Sequence, residues 1–376
     1  MSQKLKSRNL IMGFIPQIEP WIDDTALTYL KRVIESTYVT EHEFTQEFER
    51  RLCELTGAKH AIAVCNGTAA LFCCLKALDI GIGDEVIVPN LTFIATANAV
   101  LLAGATPVVC DIKRDDLSFD LDKLEGCISS RTKAIMPVHL YGFSADMKSI
   151  LSLAEKYNIK VIEDAAQGVG VFHKEKHVGT FGDLGILSFY GNKTITCGEG
   201  GVILTDDDEL REKCYRLKNH GRSKKGVFVH DSIGFNFCFT ELQAAVGLSQ
   251  LDKLPQIIKG KKDIRDGYVR SLSNLRDKLE PLLPQEDTLP VYWFTSFLTP
   301  YKAELQKHLS DMDIQTRDFF YPLDMQPCYD NNIVRGSSFE ESHALYSFGL
   351  SLPSSYMLTW GEQERVIDGI IKFFEK

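Results

Sequence analysis

Short apolar runs alternate with longer helical stretches from about residue 60 to residue 205. Residues 61–64 form the first run, and 68–78, rich in small and apolar side chains, follow as a helix. A β-branched run over 85–88 stops at Pro89, and the span 92–103 has helical composition, closed by Gly104. Strands are predicted at 107–110, 134–138 and 160–162, with a helix over 146–157, and two further strands at 185–189 and 201–204. Continuously apolar strands separated by helices predict a mainly parallel sheet covered on both faces. Ligands of such sheets sit at the carboxyl ends of the strands. The residues just after each run are therefore the ones that carry chemistry.

Beyond the sheet the pattern changes. A helix is expected over 240–252, capped near Phe239 or Thr240, and the chain stays polar and helical to about residue 271. From about residue 274 a strand at 292–298, a helix at 302–311 and a terminal helix at 362–374 suggest a smaller mixed unit. The expected organisation is α/β, with a large domain over 1–250 and a small C-terminal α+β domain over 251–376. No internal repeat or low-complexity segment interrupts it.

Composition narrows the class. With 376 residues, 44% hydrophobic and 25% charged, the chain has the balance of a globular protein. Its net charge of −9 and the lack of a long basic run give no support for nucleic-acid binding. No apolar stretch approaches a membrane span, and the short run at 10–15 is too broken for a signal-peptide core, so a cytoplasmic location without a membrane partner is expected. Ten cysteines show no Cys-x-x-Cys pair, which argues against structural zinc, and no metal site is expected. Three glycosylation-like triplets, starting at Asn66, Asn90 and Asn192, read as chance matches.

Three places carry chemistry. The strand ending in Glu163-Asp164 is followed by small residues, Ala165-Ala166-Gln167-Gly168, which leave room for a bulky ligand; a helix cap is the alternative reading of Asp164. Lys193 stands just beyond another buried run, between Gly191-Asn192 and the glycine-rich Gly198-Glu199-Gly200-Gly201. Partial desolvation there frees an amine to attack a carbonyl. Asn66-Gly67-Thr68-Ala69-Ala70-Leu71 joins a strand to a helix whose free N–H groups suit a phosphate. The Gly-Lys-Ser/Thr of a P-loop and the Gly-x-Gly-x-x-Gly of a dinucleotide fold are both missing. Together the three places fit one cofactor, pyridoxal 5′-phosphate (PLP). Its phosphate would dock at Gly67 and Thr68, Asp164 would keep the pyridine nitrogen protonated, and Lys193 would hold the aldehyde as a Schiff base. Phe93 could stack on the ring or be a core aromatic.

The same motifs, with Gly83-Asp84-Glu85-Val86-Ile87-Val88-Pro89, Pro137-Val138-His139-Leu140-Tyr141-Gly142 and Ser188-Phe189-Tyr190-Gly191-Asn192-Lys193, resemble the DegT/DnrJ/StrS family of PLP-dependent sugar aminotransferases over nearly the whole chain. The stretch Gly191-Asn192-Lys193-Thr194-Ile195-Thr196 looks closest to perosamine synthases and related 4-aminotransferases. The resemblance implies fold type I, with a mainly parallel seven-stranded sheet, and a homodimer with shared active sites. It implies Lys193 as the Schiff-base lysine, Asp164 as pyridinium partner, and Gly67, Thr68 and Ser188 at the phosphate. Gln167 would reach the ring hydroxyl, Phe93 would stack, and Asn236 would reach the phosphate of the neighbouring subunit. Gln167 stands where perosamine synthases usually carry Glu, and Asp324 where many relatives have His; residues 1–13 extend beyond the usual start.

The implied reaction is transamination from L-glutamate, leaving 2-oxoglutarate, to a nucleotide-linked 4-keto-6-deoxyhexose. Lys193 would serve as anchor and general base. His220, Arg222 and Lys224, in the basic loop 220–225, are candidates for the nucleotide diphosphate, as is Arg317; a solvated loop is the other reading. Asp324 lies near the expected sugar pocket. Gln167 keeps amination at C3, or at C2, open as an alternative. A sugar dehydratase of this fold would carry His in place of Lys193, a non-catalytic regulator would lack Lys193 or Asp164, and Cys197 lies in the wrong surroundings for a cysteine desulfurase.

Overall fold

The computed structural model describes residues 13–224, 226 and 228–375. Residues 1–12 and Lys225 of the basic loop lie outside them.

The large sheet runs β1 (His60–Val64), β9 (Gly201–Thr205), β8 (Leu184–Ser188), β5 (Lys160–Asp164), β4 (Thr132–Ile135), β2 (Glu85–Pro89), β3 (Thr106–Cys110) and β14 (Val334–Arg335). Only β9 runs against the others. The seven expected strands are therefore joined by an eighth, two residues long, which pairs Val334 with Val108. So short a strand has no periodicity to read in the sequence.

Both faces are buried, which explains the continuous apolar runs. Ile62, Val64, Val86, Val88, Ile162 and Ile203 share one core with α3 (Gly67–Ala77), α4 (Ala95–Leu102) and Cys214 of α7 (Asp208–Lys218). The alternate residues face the other way. Ala63, Leu187, Val202 and Leu204 pack with α2 (Glu43–Thr56) and α8 (Glu241–Leu251), and Ile87, Val108, Ile135 and Val161 with α6 (Met147–Tyr157) and the short α5 (Leu121–Leu124). The first helix, α1 (Asp24–Ser36), lies on α8. Caps fix the helix starts: Asp146 accepts from Ser149 N–H, and Thr240 and Gln243 form a capping box.

A second sheet, β10 (Glu280–Pro281), β12 (Thr295–Leu298), β15 (Gly349–Leu352) and β13 (Arg317–Asp318), packs with α9 (Leu254–Ser271), α10 (Lys302–Ser310) and α12 (Trp360–Phe374). The last remaining helix, α11 (Glu340–Phe348), leads into β15. Ile15 joins this C-terminal core and bridges Ile314. A small third sheet links β11 (Thr288–Leu289) to the hairpin β6 (Phe172–His173) and β7 (Lys176–His177). None of the described helices is long and apolar enough to cross a membrane.

Two differences from the sequence reading bear on the site. The strand expected over 292–298 begins only at Thr295, because Trp293 N–H turns away to the carbonyl of Tyr141 (3.3 Å). The helix expected from residue 92 begins at Ala95, because the chain first makes a turn in which Thr96 N–H reaches the carbonyl of Phe93 (3.2 Å). That turn presents Phe93 at the sheet's carboxyl edge.

Candidate active site

The carboxyl ends of β1, β2, β5 and β8, with the start of the reversed β9, open into one cavity of about 810 Å³. Asn66 caps α3 by accepting from Ala69 N–H (2.9 Å), which leaves the first turn aimed at the cavity. Its close packing depends on missing side chains. A Cβ on Gly67 would lie 3.1 Å from Ser188 Cβ, and one on Gly201 would lie 2.5 Å from the carbonyl carbon of Asn66. Gly67, Thr68 and Ser188 thus form a cradle for an anion at a helix N-terminus.

Two neighbouring carboxylates at the end of β5 do different work. Glu163 is fully buried and accepts from the N–H groups of Gly179 (2.7 Å), Phe181 (2.5 Å) and Gly182 (2.7 Å). It also meets His139 Nε2 at 2.8 Å. Ala145 N–H donates to His139 Nδ1 (3.1 Å), so the ring proton sits on Nε2 and faces Glu163. Asp164 points the opposite way, into the cavity. Thr96 Oγ1 donates to its Oδ2 (2.8 Å) and Ala166 N–H to its Oδ1 (3.1 Å). Those bonds fix the carboxylate's orientation and leave it lone pairs for a ligand.

Lys193 lines the same cavity. Its amine is lowered from 10.5 to about 8, first by dehydration, opposed by Asp164 and assisted by repulsion from Arg317. Its Nζ lies 4.3 Å from the centre of the Trp293 ring. Gln167 Oε1 accepts from Tyr141 N–H (2.6 Å), which orients the amide NH2 as a free donor group. Phe93, 52% exposed, stands over the cavity with its ring 5.8 Å from Phe320. An amine, a fixed carboxylate, an anion cradle and an uncovered aromatic face match PLP group by group.

Of the residues singled out from the sequence, Gly67, Thr68, Phe93, Asp164, Gln167, Ser188, Lys193 and Arg317 line this one cavity. Others lie elsewhere. Phe235 and Phe237 line the cavity while Asn236, between them, is exposed on the other side of the strand-like segment. His220, Arg222 and Lys224 are also outside it. Arg222 is engaged with Asn219 Oδ1 (2.5 Å), and the His220 carbonyl accepts from His230. Asp324 is not at the cavity: its carboxylate accepts from Asn90 Nδ2 (2.7 Å) and meets His343 Nε2 (2.9 Å), so it fastens a loop. Trp293 and Phe320, which complete the far wall, were not singled out. The aromatic runs Tyr292-Trp293-Phe294 and Phe319-Phe320-Tyr321 are their visible signals.

A mainly parallel sheet with this amine, carboxylate and cradle at its carboxyl edge defines a PLP-dependent aminotransferase. The chain belongs to the DegT/DnrJ/EryC1/StrS aminotransferase family, whose model matches residues 20–371. It is 37% identical to a GDP-perosamine synthase of Escherichia coli O157:H7, over 96% of this chain and 99% of that protein. A GDP-perosamine synthase of Caulobacter vibrioides is 38% identical, over 95% and 98%. Among solved structures, S. venezuelae DesV in complex with a ketimine intermediate superposes with a TM-score of 0.91 at 30% identity, covering 97% of this chain and 100% of that one. Helicobacter pylori PseC, an aminotransferase involved in the biosynthesis of pseudoaminic acid, gives 0.90 at 29% identity, over 96% and 99%.

Proposed function

We propose that this enzyme transfers an amino group from L-glutamate to C4 of a nucleotide-linked 4-keto-6-deoxyhexose, forming the 4-amino-4,6-dideoxy sugar. The observation that carries the reading is the amine of Lys193 sharing one cavity with the fixed carboxylate of Asp164 and the N-terminus of α3. The GDP-perosamine synthases that are similar over nearly the whole chain support the choice of sugar and make the GDP-linked form the first to try.

Gly67, Thr68 and Ser188 would hold the cofactor phosphate, Asp164 the proton on the pyridine nitrogen, Gln167 the ring hydroxyl and Phe93 the ring face. Bound PLP supplies an electron sink for negative charge at the donor's α-carbon. Lys193 Nζ first anchors the cofactor, then carries a proton from that α-carbon as general base. Its lowered affinity for protons keeps a useful share of the amine neutral near pH 8. Arg317, the one arginine lining the cavity among the described residues, is placed to receive the donor's carboxylate. The aromatic walls exclude water from the acidic α-carbon.

The enzyme acts as a homodimer in this reading. Asn236, His220, Arg222 and Lys224 lie outside their own cavity and would serve the neighbouring subunit's. In this reading the large unit expected to end at residue 250 holds the cofactor, with Ile15 lent to the C-terminal core and Val334 and Arg335 returned to the large sheet.

Spectroscopy tests the reading. The purified holoenzyme should show a visible band that L-glutamate bleaches to a near-ultraviolet one. Lys193→Ala should lack the original band. The converted enzyme should then aminate a GDP-, UDP- or dTDP-linked 4-keto-6-deoxy sugar and ignore 3-keto isomers. A protein without the band, or one indifferent to glutamate, would overturn the proposal.

A further inference from the structure

Trp293 touches the reactive amine but is held by groups that do not. Lys193 Nζ lies 4.3 Å from the centre of its ring. The indole Nε1–H donates to the carbonyl of Asn192 (2.6 Å), the residue next to that lysine. The Trp293 carbonyl accepts from Lys261 Nζ (3.0 Å), and the same amine donates to the carbonyl of Ser354 (3.1 Å). Lys261 comes from the middle of α9, is 3% exposed and reaches no carboxylate among the described residues. The opposite side of the segment is held by Trp293 N–H on the Tyr141 carbonyl (3.3 Å). Gly142 permits that approach, since a Cβ there would lie 3.2 Å from Trp293 N and strike the Val291 carbonyl.

A buried lysine that only ties two carbonyls together is a costly way to join two loops, because its charged form is poorly solvated. Its geometry is specific all the same: it fixes the start of β12 and the end of β15 at the point where the indole enters the cavity. We propose that Lys261 and Trp293 form a positioning device for the transfer reaction, Lys261 anchoring the Trp293 backbone and the anchored indole shielding Lys193 Nζ from water. The proposal rests on Lys193 being the cofactor lysine.

Two effects of the indole oppose each other. A ring face attracts an ammonium and favours protonated Lys193. Exclusion of water favours the neutral amine. Burial is the largest cause of the amine's lowered affinity for protons, and the indole is one of the walls that bury it. The charged groups that share the cavity with Lys193 are Asp164 at the end of β5, Arg317 in β13 and Glu199 before β9. Neither Lys261→Met nor Trp293→Phe alters them. Loosening the indole therefore admits water and moves the amine upward.

The test acetylates the full-length apo protein with acetic anhydride from roughly pH 6 to pH 10, spanning the ordinary range of a lysine and below it, and reads Lys193 by peptide mass spectrometry. Lys261→Met should raise the Lys193 midpoint by about one pH unit, a roughly tenfold slower acetylation at neutral pH. In the holoenzyme kcat should fall while KM for glutamate holds. Trp293→Phe keeps an aromatic ring but loses the bond to Asn192, and should shift the midpoint in the same direction; it carries the test if Lys261→Met fails to fold. A folded variant of either kind with an unmoved midpoint overturns the proposal. Failure of the cofactor reading would show separately, as a wild-type protein without the visible band.

Discussion

Gly201→Ala probes the phosphate cradle from behind, at a residue that does not itself line the cavity. Gly201 is gripped between strands, paired with Val64 on one side and Ser188 on the other. It cannot retreat, so the added methyl must push Asn66. The new Cβ would lie 2.5 Å from the Asn66 carbonyl carbon and 2.8 Å from Gly67 N. Carbon atoms normally approach to about 3.5 Å, so the turn must move by roughly 1 Å. Overpacking of this kind costs about 1–3 kcal/mol of stability. The same shift spoils the Asn66 cap and misaims the first N–H groups of α3. Losing one hydrogen bond to a charged phosphate is worth about 1.5–3 kcal/mol, or about a 10- to 100-fold weaker hold on PLP. Titration of the apo protein with PLP, followed by absorbance, measures the affinity, and thermal unfolding measures the stability. Gly191→Ala is the control: it stands two residues from Lys193, but its nearest neighbour would be 4.0 Å away, so both values should stay at wild type. A Gly201→Ala protein that loses stability but binds PLP as tightly as wild type would refute the placement of the phosphate. One unchanged in both would refute the packing argument itself.

Other expectations follow from the same geometry. Asp164→Asn retains the shape of the site but removes its charge; PLP should still bind while kcat falls by at least about a hundredfold, in steady-state assay. Glu163→Gln sets an amide NH2 against backbone donors and should cost about 3–5 kcal/mol in denaturant unfolding, with little direct effect on the chemistry of whatever folds. The rate at which apo protein captures PLP should rise with pH through about 8, as Lys193 becomes neutral, in stopped-flow absorbance. Lys261 bears on stability with a definite sign. The unfolded chain keeps its proton to about pH 10.5, the folded chain releases it near pH 7, and stability should rise with pH between those values. Lys261→Met should flatten that slope in unfolding curves taken across the interval.

The sheet was legible because each central strand is buried on both faces. Runs such as 85–88 and 201–204 cannot be mistaken for a solvated surface. Lys193, Asp164 and Gly67 were legible for the same reason, since each follows a buried run and a parallel sheet gathers such ends at one edge. What came from far along the chain was less visible. Trp293 and Phe320 reach the cavity only through the packing of the C-terminal sheet, which the aromatic runs around them do not reveal. Asp324, which the resemblance puts near the sugar pocket, does not line the cavity, and its side chain is committed to Asn90 and His343. The alternation of Phe235, Asn236 and Phe237 is the opposite case: once the segment is seen to be extended, the exposed middle residue follows from the period of two.

The eighth strand has a consequence for how the molecule is made. Val334 and Arg335 cover the outer edge of β3, whose partners on the other side are in place long before them. A ribosome delivers the chain from its start, so that edge remains unpaired until Val334 and Arg335 have emerged. An open, apolar edge invites pairing with another nascent chain. A polypeptide terminated before residue 334 would keep the edge permanently exposed. The yield of soluble enzyme should therefore depend on translation speed and on chaperones that hold the unfinished chain, and premature stop codons late in the reading frame should give aggregates instead of a stable fragment.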